Sequence, residues 1–389
     1  MARQTTTILG IETSCDETAA SLLKIVNCLP TEALAQAGKL KIVSNVVSSQ
    51  VKIHAKYGGI VPEVAARKHA ENIIFVLQQA LKSKILNLKP KHKTSFMLGR
   101  AHKNVLRSVD AIAVTNGPGL ITSLLIGVEA AKTLAFLAKK PLIPVNHLLG
   151  HIYANFLGMS HDTCSIMHDL FPAVCLVVSG GHTELILMKG FENFKKIGQT
   201  LDDAAGECFD KTAKILGLGY PGGPAVAAEA ANLKSKILNL KIKLPRPMIS
   251  SPDFNFSFSG LKTAVLYKTR ELGNSQTHKH VPEICAEAQQ AIIDVLISKT
   301  IKAAQKFGAK SIILGGGVVA NQELRRQFAE KVKREIPNSL FLIPNSNLCT
   351  DNAAMVAVAG YFKLSKTPKK DWLKKFDWQK IKADPNLEI

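Results

Sequence analysis

The sequence predicts an α/β protein built from two duplicated lobes around a central ligand cleft, and three observations lead there. Residues 8–23 and 173–188 each read as a buried strand, a small-residue turn and a second strand. Residues 111–138 and 311–321 each read as a strand, a glycine turn and the start of a helix. The order hairpin, then strand-turn-helix, thus occurs twice, which is the pattern of a duplicated chain whose glycine turns face one cleft. At 389 residues, with 46% hydrophobic and 21% charged residues, the chain is long and apolar enough to fill two cores.

In the first hairpin the turn places Glu12, Asp16 and Glu17 near a strand end, where carboxylates can hold a cation or orient a phosphate or acyl group. Residues 57–62 read as a turn and 63–81 as a helix, with His54, Glu63, Arg67 and His69 giving this region a polar face. Residues 82–108 are Lys-rich and patternless, an exposed insertion. The segment 81–89 recurs identically at 233–241, both times after an alanine-rich helical stretch, and reads as a basic amphipathic extension. The glycine turn at 116–119, feeding an apolar helix, suits an anion, although packing explains such glycines equally well.

Residues 141–151 carry a strand, a turn and a helix start on which His147 and His151 share one face at the i, i+4 spacing. Two imidazoles on one rigid element are half a metal site; the alternative is a pair of satisfied polar groups at a domain junction. Asp351, beside another helix start, is the candidate oxygen ligand, with an N-cap as its other reading. Residues 202–214 form a helix with carboxylates on one side, and 219–224 a rigid loop. The alternation of aromatic and polar residues at 254–262 reads as a half-buried strand before a helix, packing in the core or stacking a base. Trp372, Phe376 and Trp378 in the Lys-rich tail seal a helix onto the body.

Fifty Lys and Arg against 30 Asp and Glu leave a net charge of +20, which favours a polyanionic partner or a generic lysine-rich surface. No apolar run approaches the roughly 20 residues of a membrane helix. The N-terminus lacks a charged segment followed by an apolar one, so a cytoplasmic protein with no membrane partner is expected. The 7 cysteines are odd in number with no C-x-x-C pair, which points to reduced, buried thiols.

Ordered motifs identify a family resemblance. GIETSCDETA (10–19), YGGIVPEVAARKH (57–69), NGPGL (116–120), NHLLGH (146–151), LVVSGGHTEL (176–185), LDDAAGECFDKTAK with GYPGG (201–223), FSFSGLKTA (256–264), GGGVVAN (315–321) and CTDNAAM (349–355) closely resemble the TsaD family. These are the tRNA N6-adenosine threonylcarbamoyltransferases, once described as glycoprotein endopeptidases. The resemblance implies the actin-like ATPase fold, with residues 1–150 as an N-terminal lobe joined by the 351–363 helix. Residues 151–350 would form a C-terminal lobe with nucleotide-binding turns, and 364–389 a basic tail.

It implies one divalent metal ion, usually iron and sometimes zinc, on His147, His151 and Asp351. It places threonylcarbamoyl-adenylate on Val177, Val178, Ser179, Gly180, Gly181, Asp210, Gly223 and Asn321. The activity implied is transfer of the threonylcarbamoyl group to N6 of adenosine 37 in tRNAs reading ANN codons, with a smaller paralogous subunit and a separate small ATPase as partners. No protein nucleophile is required, and Asp16 and Glu17 are candidates to assist removal of the N6 proton. Two departures stand out: the loops at 82–108, 160–169 and 231–245 look longer than the family's, and Ala227 stands where many members carry an aspartate. A metalloprotease is the weaker reading, because the H-E-x-x-H type needs a glutamate where this chain has Leu148. The remaining alternative is a non-catalytic nucleotide-binding scaffold of the same fold.

Overall fold

The structure, a computed structural model, describes residues 5–26, 39–85, 106–157, 169–233 and 242–389. Most of the three long loops, residues 86–89 of the first copy of the repeated segment and nearly all of the second copy lie outside the described residues. The chain divides into two compact units. The first comprises Met1–Gln50, Val61–Asp169 and Asp351–Ile389, the second Val51–Ile60 and Leu170–Thr350.

The first unit is organised on a five-stranded sheet of order β3-β2-β1-β4-β5. Its strands are β1 (Thr5–Glu12), β2 (Glu17–Val26), β3 (Lys39–Ser49), β4 (Ala111–Gly117) and β5 (Leu142–Asn146). β1 runs antiparallel to β2 and parallel to β4, and is buried from Thr6 to its end, which is why it reads as a continuous apolar run rather than an alternation. Leu9 and Ile11 join Val128 and Val76 in a core under helices α1 (Pro62–Ile85) and α2 (Ile121–Ala138). Gly10 points the other way, against the helix Ala353–Ser365, where a Cβ would run into the Ala353 carbonyl.

α2 is 18 residues long and apolar enough by length and composition to cross a membrane, which the sequence reading did not anticipate. It buries one face, including Leu124, Val128 and Leu134, as a core helix does. The polar face expected from His54 and His69 is also corrected: both side chains are fully buried. His69 is held by Thr18 Oγ1 at 2.8 Å and by the Cys15 carbonyl at 3.0 Å, so it props the turn that follows β1.

The second unit repeats the plan. Strands β6 (Ala173–Val178), β7 (Thr183–Gly190), β8 (Asn193–Gln199), β9 (Ser311–Gly315) and β10 (Leu340–Leu342) lie in the order β10-β9-β6-β7-β8. Read from the other edge, this is the order of the first sheet, with β6 antiparallel to β7 and parallel to β9. The helix that bears His147 and His151, α3 (His147–Tyr153), belongs to the first unit. The second carries α4 (Ala205–Ile215), α5 (Gly222–Ala231), α6 (Ser259–Lys306) and α7 (Gln322–Glu335). α6 is two helical pieces meeting at Gly273, whose φ of 69° breaks the helix.

One expected element is absent: residues 254–258 form no strand. Phe256 makes a single bridge to Thr200, while Asp202 accepts the Phe258 N–H at 2.8 Å and the Ser259 N–H at 3.2 Å. The alternation of buried Phe254, Phe256 and Phe258 therefore marks an extended entry into α6, capped by an aspartate from far upstream.

Candidate metal centre

β5 ends at Asn146, whose side-chain oxygen accepts the N–H groups of Leu148 and Leu149 at 2.9 and 3.3 Å and so starts α3 at His147. Gly150 lets this helix approach Met355 on the helix Ala353–Ser365. That second helix is capped by Asn352, which accepts the Met355 N–H at 3.1 Å, so the cap reading of Asp351 gives way. Asp351 Oδ1 instead lies 3.1 Å from His151 Nε2 and 3.5 Å from His147 Nε2. The three residues offer ligand atoms within 4.8 Å of one another, and both histidines are buried.

The two imidazole-to-carboxylate separations suit a cation. Ligand atoms each ~2.1 Å from one ion, at tetrahedral to octahedral angles, stand about 3.0–3.4 Å apart. Neither ring nitrogen of the buried His151 has a hydrogen-bond partner, an arrangement that costs free energy unless a lone pair is used otherwise. Two imidazoles and a carboxylate are a donor set that takes Fe2+ and Zn2+ alike.

Glu12 was grouped with Asp16 and Glu17 on sequence, but the structure separates them. Glu12 is fully buried; Oε1 accepts the Ser14 N–H at 2.6 Å, and Oε2 accepts the Thr115 hydroxyl at 2.6 Å and faces His147 Nδ1 at 3.3 Å. Burial pushes its carboxyl up, but His147 and Thr115 more than offset this and hold it below the usual value. His147 is raised to about 9: burial opposes its charge, and Asp351 and Glu12 outweigh burial. The signal that would have singled out Glu12 is a lone carboxylate directly after the apolar run 8–11 of a buried strand, which must find a partner.

Glu17 is raised to about 10 by burial, then by the charges of Asp16 and Asp351, and it accepts the Ser49 hydroxyl at 3.0 Å. Asp16 is buried next to it. The 116–119 turn, expected to suit an anion, and the residue after it spend two N–H groups internally: Gly119 donates to the Pro385 carbonyl at 3.2 Å and Leu120 to that of Ser14 at 2.8 Å.

The other predicted residues all belong to the second unit. Val177 and Val178 are buried at the end of β6, where the chain turns through Ser179, Gly180 and Gly181. This turn is fastened by Ser179 N–H to the His182 carbonyl at 2.8 Å and by Gly206 N–H to the Ser179 carbonyl at 3.2 Å. Side chains built on Gly180, Gly181 or Gly223 would meet nothing within 4 Å, so backbone stands open there. Asp210 and Asn321 serve the architecture as well: Asp210 Oδ1 accepts the Gly222 N–H at 2.7 Å, and Asn321 caps α7 while donating to Gln289 at 2.7 Å.

Comparison with known proteins gives the family. The model of the TsaD family, tRNA N6-adenosine threonylcarbamoyltransferase, matches residues 41–358. A protein of that name from Syntrophomonas wolfei is 46% identical over 359 residues, covering 92% of this chain and 93% of the relative. One from Persephonella marina is 46% identical over 357 residues, covering 91% and 89%. One from Thermosipho africanus is 42% identical over 382 residues, covering 98% and 99%. Among solved structures, full-length HypF in its phosphate- and nucleotide-bound form is 12% identical, covers 94% of this chain and 47% of its own, and has a TM-score of 0.52. That likeness bears on the fold alone, which is the actin-like ATPase fold. The chain belongs to the TsaD family of tRNA N6-adenosine threonylcarbamoyltransferases.

Proposed function

We propose that this chain transfers the threonylcarbamoyl group of threonylcarbamoyl-adenylate to N6 of adenosine 37 in tRNAs that read ANN codons, working in the cytoplasm. The observation that carries the reading is the constellation of buried His147 and His151 with half-buried Asp351 in a chain of this family. N6 adds to the carbamoyl carbon, the bond from that carbon to the phosphate oxygen breaks, AMP leaves, and N6 gives up a proton.

His147, His151 and Asp351 would hold one divalent ion, iron in preference to zinc. Such an ion supplies Lewis acidity toward acyl-phosphate oxygens when bound. Val177, Val178, Ser179, Gly180, Gly181, Asp210, Gly223 and Asn321 would hold the adenylate, and the open backbone at Gly180, Gly181 and Gly223 supports this by leaving room for a ligand to approach. Asp16 and Glu17 are the candidates to take the proton from N6. A smaller paralogous subunit and a separate small ATPase act as partners.

The full chain, given an ANN-reading tRNA and the adenylate with and without those partners, should yield threonylcarbamoylated adenosine, read by mass spectrometry of the nucleosides. No product in either mixture would refute the assignment. Ser179→Leu, which fills the space beside the open turn, should abolish adenylate binding while the thermal melt stays close to that of the parent. An unchanged adenylate affinity would remove the turn from the substrate site.

A further inference from the structure

We infer that Glu12 is the positioning residue of the metal centre: its carboxylate fixes the tautomer and ring plane of His147, so that Nε2 keeps its lone pair for a cation. The inference rests on the metal reading given above. A carboxylate withdrawn from water persists only where its oxygens are paired, and Glu12 is fully buried. Oε1 is taken by the Ser14 N–H at 2.6 Å, and Oε2 by the Thr115 hydroxyl at 2.6 Å. What is left of Oε2 faces His147 Nδ1 at 3.3 Å, and the Ser14 hydroxyl stands 3.1 Å from the same nitrogen.

An anion and a hydroxyl oxygen around Nδ1 place the ring proton there. Nε2 is then the nitrogen left for a cation, which displaces its proton on binding, and it lies 3.5 Å from Asp351 Oδ1. His151 has no such partner at Nδ1, and its Nε2 faces Asp351 Oδ1 at 3.1 Å. The two histidines are therefore held by different means, and only His147 has a fully buried carboxylate at Nδ1. The Glu12 network draws on β1, the turn after it, β4 and α3, which ties the sheet to the helix that bears both imidazoles.

Glu12→Gln tests this, because an amide cannot accept at both ends. If its NH2 group faces the Ser14 N–H, that bond is lost. If it faces Nδ1, the imidazole proton moves to Nε2 and blocks the ligand position. Zn2+ competition with a chromophoric chelator should show affinity weakened by ~10–100-fold, the usual effect of removing such a partner. Bound Co2+ should show an altered visible absorption spectrum, a signature that loss of fold stability alone does not produce. Thr115→Val removes one anchor of the carboxylate while keeping its charge, and should shift both readouts in the same direction by less.

Parent-like Zn2+ affinity and Co2+ spectrum in Glu12→Gln would overturn the inference, as would a lowered melting temperature with those two readouts unchanged. Should Glu12→Gln fail to fold, Thr115→Val decides the matter on the same two readouts, and parent-like values there would overturn the inference. Failure of the parent protein to bind either ion would instead overturn the metal reading itself.

Discussion

His151 shows at a single residue why the centre needs all three of its side chains. Its ring is buried without a hydrogen bond, and its Nε2 lies 3.1 Å from Asp351 Oδ1. Removing any one of them takes away one of the three atoms that a cation would share. His147→Ala should therefore lose most bound metal and most transfer activity, while the metal-free protein stays folded because each unit has its own core. His151→Ala and Asp351→Ala should behave alike, and the double variants should add little, as for residues acting as one unit. Elemental analysis decides it: full metal occupancy in His147→Ala would refute the assignment. The histidine pair was legible in the sequence because a helix puts i and i+4 on one face, a purely local rule. Asp351 was legible as a candidate ligand from its place beside a helix start and from the family motif, and Glu12 was not legible as a partner of His147, since their contact spans 135 positions and exists only once β1 and α3 are assembled.

Asp202 governs an element, the start of the 48-residue helix α6. Its carboxylate accepts from the hydroxyls of Ser257 and Ser259, each at 2.6 Å, besides the two backbone N–H groups it caps. Burial raises its pKa, but these four hydrogen bonds outweigh burial and hold it below the usual carboxylate value. A group depressed in the folded state contributes stability above its unfolded pKa of about 3.9, and loses that contribution as pH falls through the lower folded value. Asp202→Ala should cost ~1–2 kcal/mol at neutral pH, in the range of other lost caps, and the gap from the parent should shrink below about pH 3. Urea unfolding at both pH values tests this; an equal gap at both would show that the charged form contributes nothing. The misreading of residues 254–258 has the same origin. A period of two marks extended backbone with one face buried, but a strand also needs a neighbour to pair with, and here Asp202 takes the backbone groups instead.

At the scale of the whole molecule the duplication was the most legible feature, because each half repeats the same strand order in its own sheet. The tail was read correctly as a seal: Trp378 packs edge-on against Phe136 with ring centroids 5.6 Å apart, and the Leu142 N–H donates to the Phe376 carbonyl at 3.0 Å. What the tail leaves outward is charge. Lys366, Lys369, Lys370, Lys374, Lys375, Lys380 and Lys382 are all exposed, within a chain of net charge +20. Lysines that neutralise RNA phosphates release counterions, so the affinity for tRNA should fall steeply with salt, by at least ~10-fold between about 50 and 200 mM. If this segment is part of that surface, replacing Lys370, Lys374 and Lys380 together by Ala should weaken tRNA binding and flatten the dependence of log affinity on log salt, by up to about one unit of slope for each phosphate no longer neutralised. The same variant should leave adenylate binding unchanged, because none of these side chains belongs to the 177–181 turn or its neighbours. Filter binding over a salt series separates the outcomes. A flat response in the parent would refute binding through phosphates altogether, whereas a steep parent with an unaltered triple variant would move the tRNA surface away from the tail.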